Sequence, residues 1–442
     1  MTTSLRRILG VGFGLAVIVG ATLGIGILRT PGLVAGQLPT SSAILAVWIA
    51  GGVYTLLGSI CFTELGTMLP QAGGYYVYAR RAFGDTAGFA VGWSDWLTYC
   101  AVLGYVSIGI GEFSAVLFPP LAGFVRPIAI AALVAFVVLQ WTGLKVSSRF
   151  QEWTTATKFV AFLALVVACL TLAPRHGADA AAAAHASTMT LSGVVVALQS
   201  VVITYGGWQS ALYFTEEDRD PARNLPRSMI GGEMLVIAIY LLVNVALLAV
   251  LSVPAMSGST LAAADAARAI AGERGGEIIT VLSLVSLPPL LNAIMMIGTR
   301  ILFAMGRDGL IWSRTSEVNA GGTPGVATLV TTAVAVALIA TGTFQRLVAM
   351  TSFLLVVDYG ICCLALVALR RREPDLARPF RTWGYPWSVA IVLTGALAFL
   401  VGMLAGDTAN GVAALILVGV GVAGHAVAAR RAGGGAVSPR AT

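Results

Sequence analysis

Glycines interrupt two long apolar runs of the chain, and these interruptions are the best candidates for binding a small molecule. The first stretch, GATLGIGILRTPG, covers residues 20–32, and the second, ITYGGWQSALYFTEE, covers residues 203–217. Because glycine is a poor helix former, each run is expected to break in its middle. Backbone groups freed at a break within a membrane can hold the charged ends of a ligand. The alternative is close packing, since Gly20 and Gly24 also form a GxxxG pattern.

The positions of the two breaks favour binding over packing. They fall in the first and the sixth apolar run, which correspond to each other if five spans form each half of the chain. Membrane transporters built from inverted repeats carry interrupted helices at corresponding positions, with the ligand bound near the middle of the membrane. We therefore expect a binding site for a small charged molecule where the two runs meet.

A lysine lies deep within the fifth apolar run. Lys158 belongs to the stretch QEWTTATKFVAFLALV. An ionisable side chain within a membrane is costly and is usually functional. Because burial disfavours the charged form, Lys158 could load and release a proton. The alternative is that its side chain snorkels to the nearer membrane surface.

Carboxyl side chains also fall within apolar runs, and we expect interfacial or paired positions for most of them. Asp358 is the strongest exception, because it lies at the centre of its run. The full set is Glu64, Asp95, Glu112, Glu233 and Asp358.

The elements that must position these residues are membrane helices. Of the 442 residues, 57% are hydrophobic and 11% are charged, whereas soluble domains carry about 25% charged residues. Only helices satisfy their own backbone in lipid when the sequence lacks the alternation of a barrel, so the chain is expected to be an all-α polytopic membrane protein with twelve transmembrane helices. The apolar segments lie near 9–36, 42–68, 87–117, 127–143, 151–173, 190–214, 228–252, 278–304, 326–342, 347–369, 387–406 and 410–429.

The basic residues of the loops predict the orientation of these helices. With the N-terminus in the cytoplasm, 20 lysines and arginines face inward and 5 face outward. This asymmetry follows the positive-inside rule and places both termini in the cytoplasm. It also explains the net charge of +7 without a nucleic-acid partner. We expect residues 430–442 to form a disordered cytoplasmic tail.

Several function classes are disfavoured by what the sequence lacks. It contains no GxxxxGK[ST] motif for ATP-driven transport. An enzyme would need convergent His, acid, Ser or Cys side chains, and the three histidines, His176, His185 and His425, lie in a loop or near the end of the chain. The five cysteines fall within apolar runs without metal-type spacing, so neither a metal site nor a disulfide framework is expected. We expect no enzymatic activity and no cofactor.

Four motifs together resemble the amino acid–polyamine–organocation permeases, and most closely their L-type-like neutral amino-acid members. They are GATLGIGILRTP, ELGTMLPQAGGYYVYARRAFG, YGGWQSALYFTEEDRDPARNLPRSM and RILFAMGRDGLIW, in register over about residues 8–370. The resemblance implies the leucine-transporter fold within a single transport domain over residues 1–442. That fold has two inverted five-helix repeats, here 8–173 and 190–370, and two additional helices, here 387–429.

The resemblance also implies a substrate site at the two breaks. Backbone N–H groups of Gly24, Ile25 and Gly26 would bind a carboxylate, in agreement with the positive N-terminal end of the outer half-helix. The family places the carbonyls that receive the substrate ammonium at Thr22, Ile203 and Gly206. Many family members carry an aromatic gate where this chain has Ile203.

Gate and coupling residues are implied in the same way. Tyr205 and Trp208 could take over the gate, or simply pack against neighbouring helices. A lysine at the position of Lys158 resembles a stand-in for a bound sodium ion in sodium-independent relatives. The loop TEEDRDPARNLPRS resembles a gate-proximal loop with paired charges, or is simply solvated. Its candidate residues are Glu216, Glu217, Arg223 and Arg227.

The sequence therefore predicts a secondary active transporter of L-amino acids, with neutral substrates expected, that works by alternating access. Proton coupling and sodium-independent exchange both remain open, as does the role of Arg29. The alternative is a cationic amino-acid or polyamine transporter or antiporter, for which Asp358 would supply a carboxylate. Its partners would be the substrate and the lipid bilayer of an inner or plasma membrane. Animal L-type relatives link to a glycoprotein through an outside cysteine, which the loop FPPLAGFVR lacks, so no disulfide-linked partner subunit is expected.

Overall fold

The computed structural model describes residues 4–172, 189–342, 344–406 and 408–433. His176, His185 and most of the predicted tail lie outside these ranges. The described residues form sixteen α-helices joined by short loops and 3₁₀ turns, with isolated bridges in place of β-strands. In chain order the helices are α1 (Val11–Thr22), α2 (Ile25–Ala35), α3 (Ser41–Met68), α4 (Tyr75–Phe83), α5 (Asp85–Leu117), α6 (Val125–Trp141), α7 (Leu144–Leu172), α8 (Leu191–Thr204), α9 (Pro221–Val250), α10 (Val253–Ser257), α11 (Ala262–Ala271), α12 (Glu273–Arg307), α13 (Gly325–Thr341), α14 (Phe344–Arg372), α15 (Trp387–Gly406) and α16 (Thr408–Gly433).

Each of the twelve predicted apolar segments overlaps a described helix, the first overlaps both α1 and α2, and the shorter helices α4, α10 and α11 lie between segments. Within the described ranges, nine are long and apolar enough to span a membrane, and α1 with α2 adds a tenth as one bent span. The apolar helices Gly325–Thr341 and Thr408–Ala423 are shorter. The all-α polytopic class is therefore confirmed, whereas the count of twelve spans stays a prediction. Because α16 continues to Gly433, the first four residues of the predicted disordered tail are helical instead.

The buried apolar side chains of the described residues form two large clusters. One cluster includes Phe13 of α1, Phe62 of α3 and Leu291 of α12. The other includes Leu28 of α2 and Trp48 of α3, together with the first half of α12. Most buried apolar side chains of α1 belong to the first cluster, and those of α2 belong to the second.

A buried amide network holds helix α12 against its neighbours. Two prolines, at positions 288 and 289, lie inside α12, where a proline removes a helical hydrogen bond. One turn further, Asn292 donates to Gln151 Oε1 at 2.9 Å and to Ser147 O at 3.1 Å. Its Oδ1 accepts from Gln140 Nε2 at 2.7 Å. These bonds join α12 to α6 and α7, so the main role of Asn292 is structural.

Replacement of Asn292 by alanine should destabilise the protein without touching the breaks. The change removes the donor to Gln151 Oε1 and the 2.7 Å acceptor of Gln140 Nε2, and a buried polar group that loses its partner costs about 1–3 kcal/mol. Thermal unfolding of the detergent-solubilised protein should show a lower midpoint than the wild type. The exposed Ser192→Ala variant is the matched control and should unfold as the wild type does. An unchanged midpoint for Asn292→Ala would contradict the assignment.

Candidate substrate-binding site

The first break separates α1 from α2 by two residues and a bend of 45°. Leu23 and Gly24 are extended there, with ψ of 107° and −155°. No described side chain caps the N-terminus of α2. The space beside Gly24 is also open, because the nearest atom to a Cβ placed there would be Thr22 O at 3.9 Å. The first N–H groups of α2 are therefore free to bind an anion, which the positive end of the helix favours.

The second break lies between α8 and the 3₁₀ segment Trp208–Phe214. Gly207 has φ of +128°, in the left-handed region that favours glycine. A Cβ at this position would lie 2.8 Å from Thr22 N and 2.9 Å from Ala21 C. The second break is therefore packed directly against the end of α1, and the structure brings the two predicted breaks together.

Tyr240 of α9 links the carbonyl ends of both breaks. Its Oη lies 2.7 Å from Thr22 O and 3.0 Å from Thr204 O. A tyrosine hydroxyl has one proton, so it donates fully to only one of these two carbonyl oxygens. The other keeps its capacity for a further donor, such as an ammonium group. No sequence signal points to Tyr240, because it is an ordinary tyrosine within a long apolar run.

The hydroxyl of Thr22 also lies at the first break, and it is buried without a partner in the described part of the chain. Thr22 is 5% exposed, and its Oγ1 has no hydrogen-bond partner among the described residues. Buried polar atoms are nearly always paired, so an unpaired one at a break indicates a place for a ligand atom. Next to it, the Oγ1 atoms of Thr30 and Thr204 lie 2.7 Å apart and hold α2 against α8.

The remaining predicted substrate residues line the open side of the breaks. Gly26 is exposed, Ile25 and Gly206 are half-buried, and the Ile203 side chain is 45% exposed. The Ile203 carbonyl oxygen already accepts from Gly206 N at 2.9 Å. The Tyr205 N–H is also directed at this oxygen, at the end of α8. Ile203 is smaller than an aromatic residue at this position would be, so it leaves more room beside the breaks.

Two charged side chains lie one turn beyond this region. Arg29 of α2 and Glu112 of α5 are both exposed and interact electrostatically. A Cβ at Gly109, one turn before Glu112, would lie 3.8 Å from Ile25 Cδ1. Arg29 and Glu112 therefore stand on neighbouring walls of the open side, where their opposite charges offset each other.

The aromatic gate candidates are packed rather than open. Tyr205 is fully buried and donates to Trp48 O at 3.2 Å. Trp208 is 2% exposed and packs on Phe62 and Tyr359, with ring centroids 5.2 and 5.3 Å apart. The packing alternative therefore describes both side chains in this conformation, and neither covers an open site.

Lys158 reaches the first break from α7. Its Nζ donates to Gly20 O at 2.9 Å and to Ser286 O at 3.0 Å, and the side chain is fully buried. The snorkelling alternative is wrong, because the ammonium group points into the protein. Lys158 forms no ion pair with any described carboxylate, so two helix carbonyls alone hold its charge.

Ion pairs close the side of the bundle on which α1 begins. Glu217 pairs with Arg300 at 3.0 Å in a fully buried, two-bond geometry, and Glu216 pairs with Arg307 at 2.7 Å. Burial raises the pKa of the Glu217 carboxyl above its ordinary value, and the Arg300 guanidinium opposes this rise. The backbone of Glu217 also accepts from Leu9 N at 3.0 Å, so the segment before α1 joins this closure.

The predicted arginine partners of this loop are wrong. Arg223 is exposed and contacts Asp220 at 3.8 Å, and Arg227 is exposed without an ion pair among the described residues. The partners of Glu216 and Glu217 come from α12 instead. That helix packs against the loop, whereas the side chains of Arg223 and Arg227 on the first turns of α9 are exposed.

Replacement of Gly207 by alanine should destabilise the contact between the breaks. A left-handed backbone costs a residue with a Cβ about 1–3 kcal/mol, and the added methyl group also meets the backbone of Thr22. The thermal unfolding midpoint should fall clearly. Gly10→Ala is the matched control, since its φ is −156° and nothing lies within 4 Å. Equal midpoints for the two variants would show that the breaks do not depend on this contact.

Comparison with known proteins identifies the family to which this architecture belongs. A family model described as "Amino acid permease" matches residues 14–423. The serine/threonine exchanger SteT of Bacillus subtilis is 29% identical, over 91% of this chain and 92% of its own length. The b(0,+)-type amino acid transporter 1 of Oryctolagus cuniculus is 29% identical over 86% and 79%, and the Asc-type amino acid transporter 1 of Mus musculus is 28% identical over 86% and 73%. The chain therefore belongs to the amino acid permease family, whose members are membrane transporters and not enzymes.

Proposed function

We propose that this permease is a secondary transporter of neutral L-amino acids whose substrate bridges the two helix breaks. The observation that carries the proposal is the direct contact of the breaks, with free N–H groups on one side and carbonyl oxygens on the other. An amino acid carries a carboxylate and an ammonium on one carbon atom. Its two charged ends fit this arrangement of opposite backbone dipoles.

In this account, the N–H groups of Gly24, Ile25 and Gly26 bind the carboxylate. The ammonium binds among the carbonyl oxygens of Thr22, Ile203 and Gly206, beside the unpaired hydroxyl of Thr22. The amino acid side chain then points toward the open space by Ile203.

A neutral side chain is favoured by the surroundings of the breaks. A cationic substrate would need a carboxylate that opens to the site, and Asp358 is fully buried with Ser94 Oγ at 3.3 Å from its Oδ2. Arg29 and Glu112 offset each other on the open side. The relative named as a serine/threonine exchanger supports the same substrate class.

Lys158 supports sodium-independent transport. Its ammonium group occupies a position between Gly20 O and Ser286 O, two carbonyl oxygens of the kind that coordinate a bound cation. A permanent cation of the protein would then replace a transported one. The proposed coupling role of Lys158 is to hold α1 and α12 together beside the break.

Alternating access would use the ion pairs at the side on which α1 begins. We assign this side to the cytoplasm of an inner or plasma membrane, with both termini there, because the basic loop residues cluster on it. The Glu216–Arg307 and Glu217–Arg300 pairs would close the inner path and open during release. The inverted repeats over 8–173 and 190–370 would provide the two parts that move against each other.

Uptake into proteoliposomes tests the function itself. Labelled L-serine, L-threonine, L-alanine and L-leucine should enter without sodium, whereas L-arginine should not. Protein-free liposomes and D-enantiomers serve as controls. Flux of arginine alone would support the cationic alternative, and absence of flux for every amino acid would overturn the proposal.

Replacement of Lys158 by alanine should reduce sodium-free uptake by about 10-fold to 100-fold. The change leaves two buried carbonyl groups without their cation, at about 1–3 kcal/mol for each group. Lys145→Ala, at an exposed position of the same helix, is the matched control and should keep wild-type uptake. A strict sodium requirement of the wild-type protein would refute the role given to Lys158.

A further inference from the structure

Two carboxyl groups that the substrate site does not use lie buried between α5 and α14. Asp95 and Asp358, called the acid pair below, are both fully buried and interact electrostatically. Tyr213 Oη lies 3.0 and 2.8 Å from the two carboxylate oxygens of Asp95 and donates to them. Asp358 has only a long contact from Ser94 Oγ, at 3.3 Å to Oδ2. Neither member forms an ion pair with a described residue.

Unpaired polar atoms surround the acid pair. Asp358 Oδ1 has no hydrogen-bond partner among the described residues. The hydroxyl of Tyr75 is likewise buried and unpaired, and Tyr99, one turn from Asp95 on the same helix, is buried beside Tyr213. Both tyrosines interact electrostatically with Asp95. Such a set of unpaired buried groups is unusual in a stable interior and indicates that the site holds something in addition.

No cation of the described chain compensates the acid pair. The titratable groups that face the acid pair are side chains that are neutral in their ordinary state. They are Tyr75, Tyr99, Tyr213, Tyr359 and Cys362. The arginines of the packed helices α12 and α14 are engaged elsewhere, Arg300 with Glu217 and Arg370 with Glu64. Two bare carboxylates would therefore face each other within the membrane, where desolvation and mutual repulsion both disfavour the doubly charged state.

We propose that the acid pair binds one proton, and that this proton is bound and released during transport. The proposal rests on the transport function above and names the coupling site. The proton belongs on Asp358, because Asp95 accepts the Tyr213 hydroxyl with both oxygens and is thereby the better stabilised anion. Loss of the proton creates two like charges across the α5–α14 contact and pushes the two helices apart.

The acid pair is connected to the second break on two sides. Tyr213 belongs to the 3₁₀ segment that follows this break. Tyr359, the neighbour of Asp358, lies with its Oη 3.3 Å from Gln209 Oε1, which also accepts from Gly207 N at 3.1 Å. A movement of α14 relative to α5 therefore reaches the backbone that would hold the substrate. This route links proton binding to the substrate site without using Lys158.

Proteoliposomes loaded with a pH-sensitive dye provide the test. Addition of L-serine to the wild-type protein should move protons together with the amino acid. Uptake should fall as the pH rises through the titration of the acid pair, by at most about tenfold per pH unit for a single proton. Asp358→Asn imitates the protonated form, so serine should still exchange while proton movement and pH dependence are lost. Glu233→Gln removes another buried carboxyl, which Thr55 of α3 contacts. This variant should keep both the proton movement and the pH dependence of uptake.

Each outcome bears on one of the two proposals. Serine exchange by the wild type without proton movement, or proton movement that persists in Asp358→Asn, would overturn the proton site and leave the transporter intact. If the wild type requires sodium and Asp358→Asn removes this requirement, the acid pair binds a metal cation. That result would also overturn the proposed proton site. Absence of any flux in the wild type would reject the transport function instead.

Infrared spectroscopy tests the same site without transport. The purified wild-type protein should show the C=O stretch of a protonated carboxylic acid, and the band should be lost in Asp358→Asn and kept in Glu233→Gln. If Asp358→Asn fails to fold, Asp95→Asn serves in its place and should lose the coupling between proton and serine. A band that Asp358→Asn leaves unchanged would overturn the proposal.

Discussion

A backbone that stops being helical inside a membrane must find partners for its own N–H and C=O groups, and this constraint organises the whole molecule. The structure meets it by bringing two breaks against each other, with Gly207 at the end of α1 and Tyr240 across both carbonyl ends. Lys158 satisfies the carbonyl of Gly20 just before the break. The buried apolar side chains of α1 fall mostly in one core cluster and those of α2 in another. What stays unpaired is a set of backbone dipoles of opposite sign, which suits an amino acid.

Much of this architecture follows from the sequence, because its signals are strong and local. Long apolar runs predict the helices, and glycine pairs within two runs predict the breaks and their contact. The burial of Lys158 follows from its depth in an apolar run. The motif resemblance supplied the family, which the family model over residues 14–423 confirms. Length alone does not give the number of spans, since α13 and the apolar part of α16 are short.

The features that the sequence could not supply depend on contacts between distant segments. Tyr240 looks like any other residue of an apolar helix until α9 packs beside both breaks. The loop acids were expected to pair with nearby arginines, but helix packing presents Arg300 and Arg307 of α12 instead. The facing of Asp95 and Asp358 likewise arises only when α5 and α14 meet, because the sequence places Asp358 at the centre of its run without showing which side chain lies opposite.

An experimental structure with a bound neutral L-amino acid would test the central claim most directly. Density for the ligand is expected between the two breaks. Its carboxylate should lie within hydrogen-bond distance of the N–H groups of Gly24, Ile25 and Gly26, and its ammonium should lie beside the carbonyl oxygen of Thr22. Density for the amino acid at another place, with the two breaks in contact and unoccupied, would contradict the account.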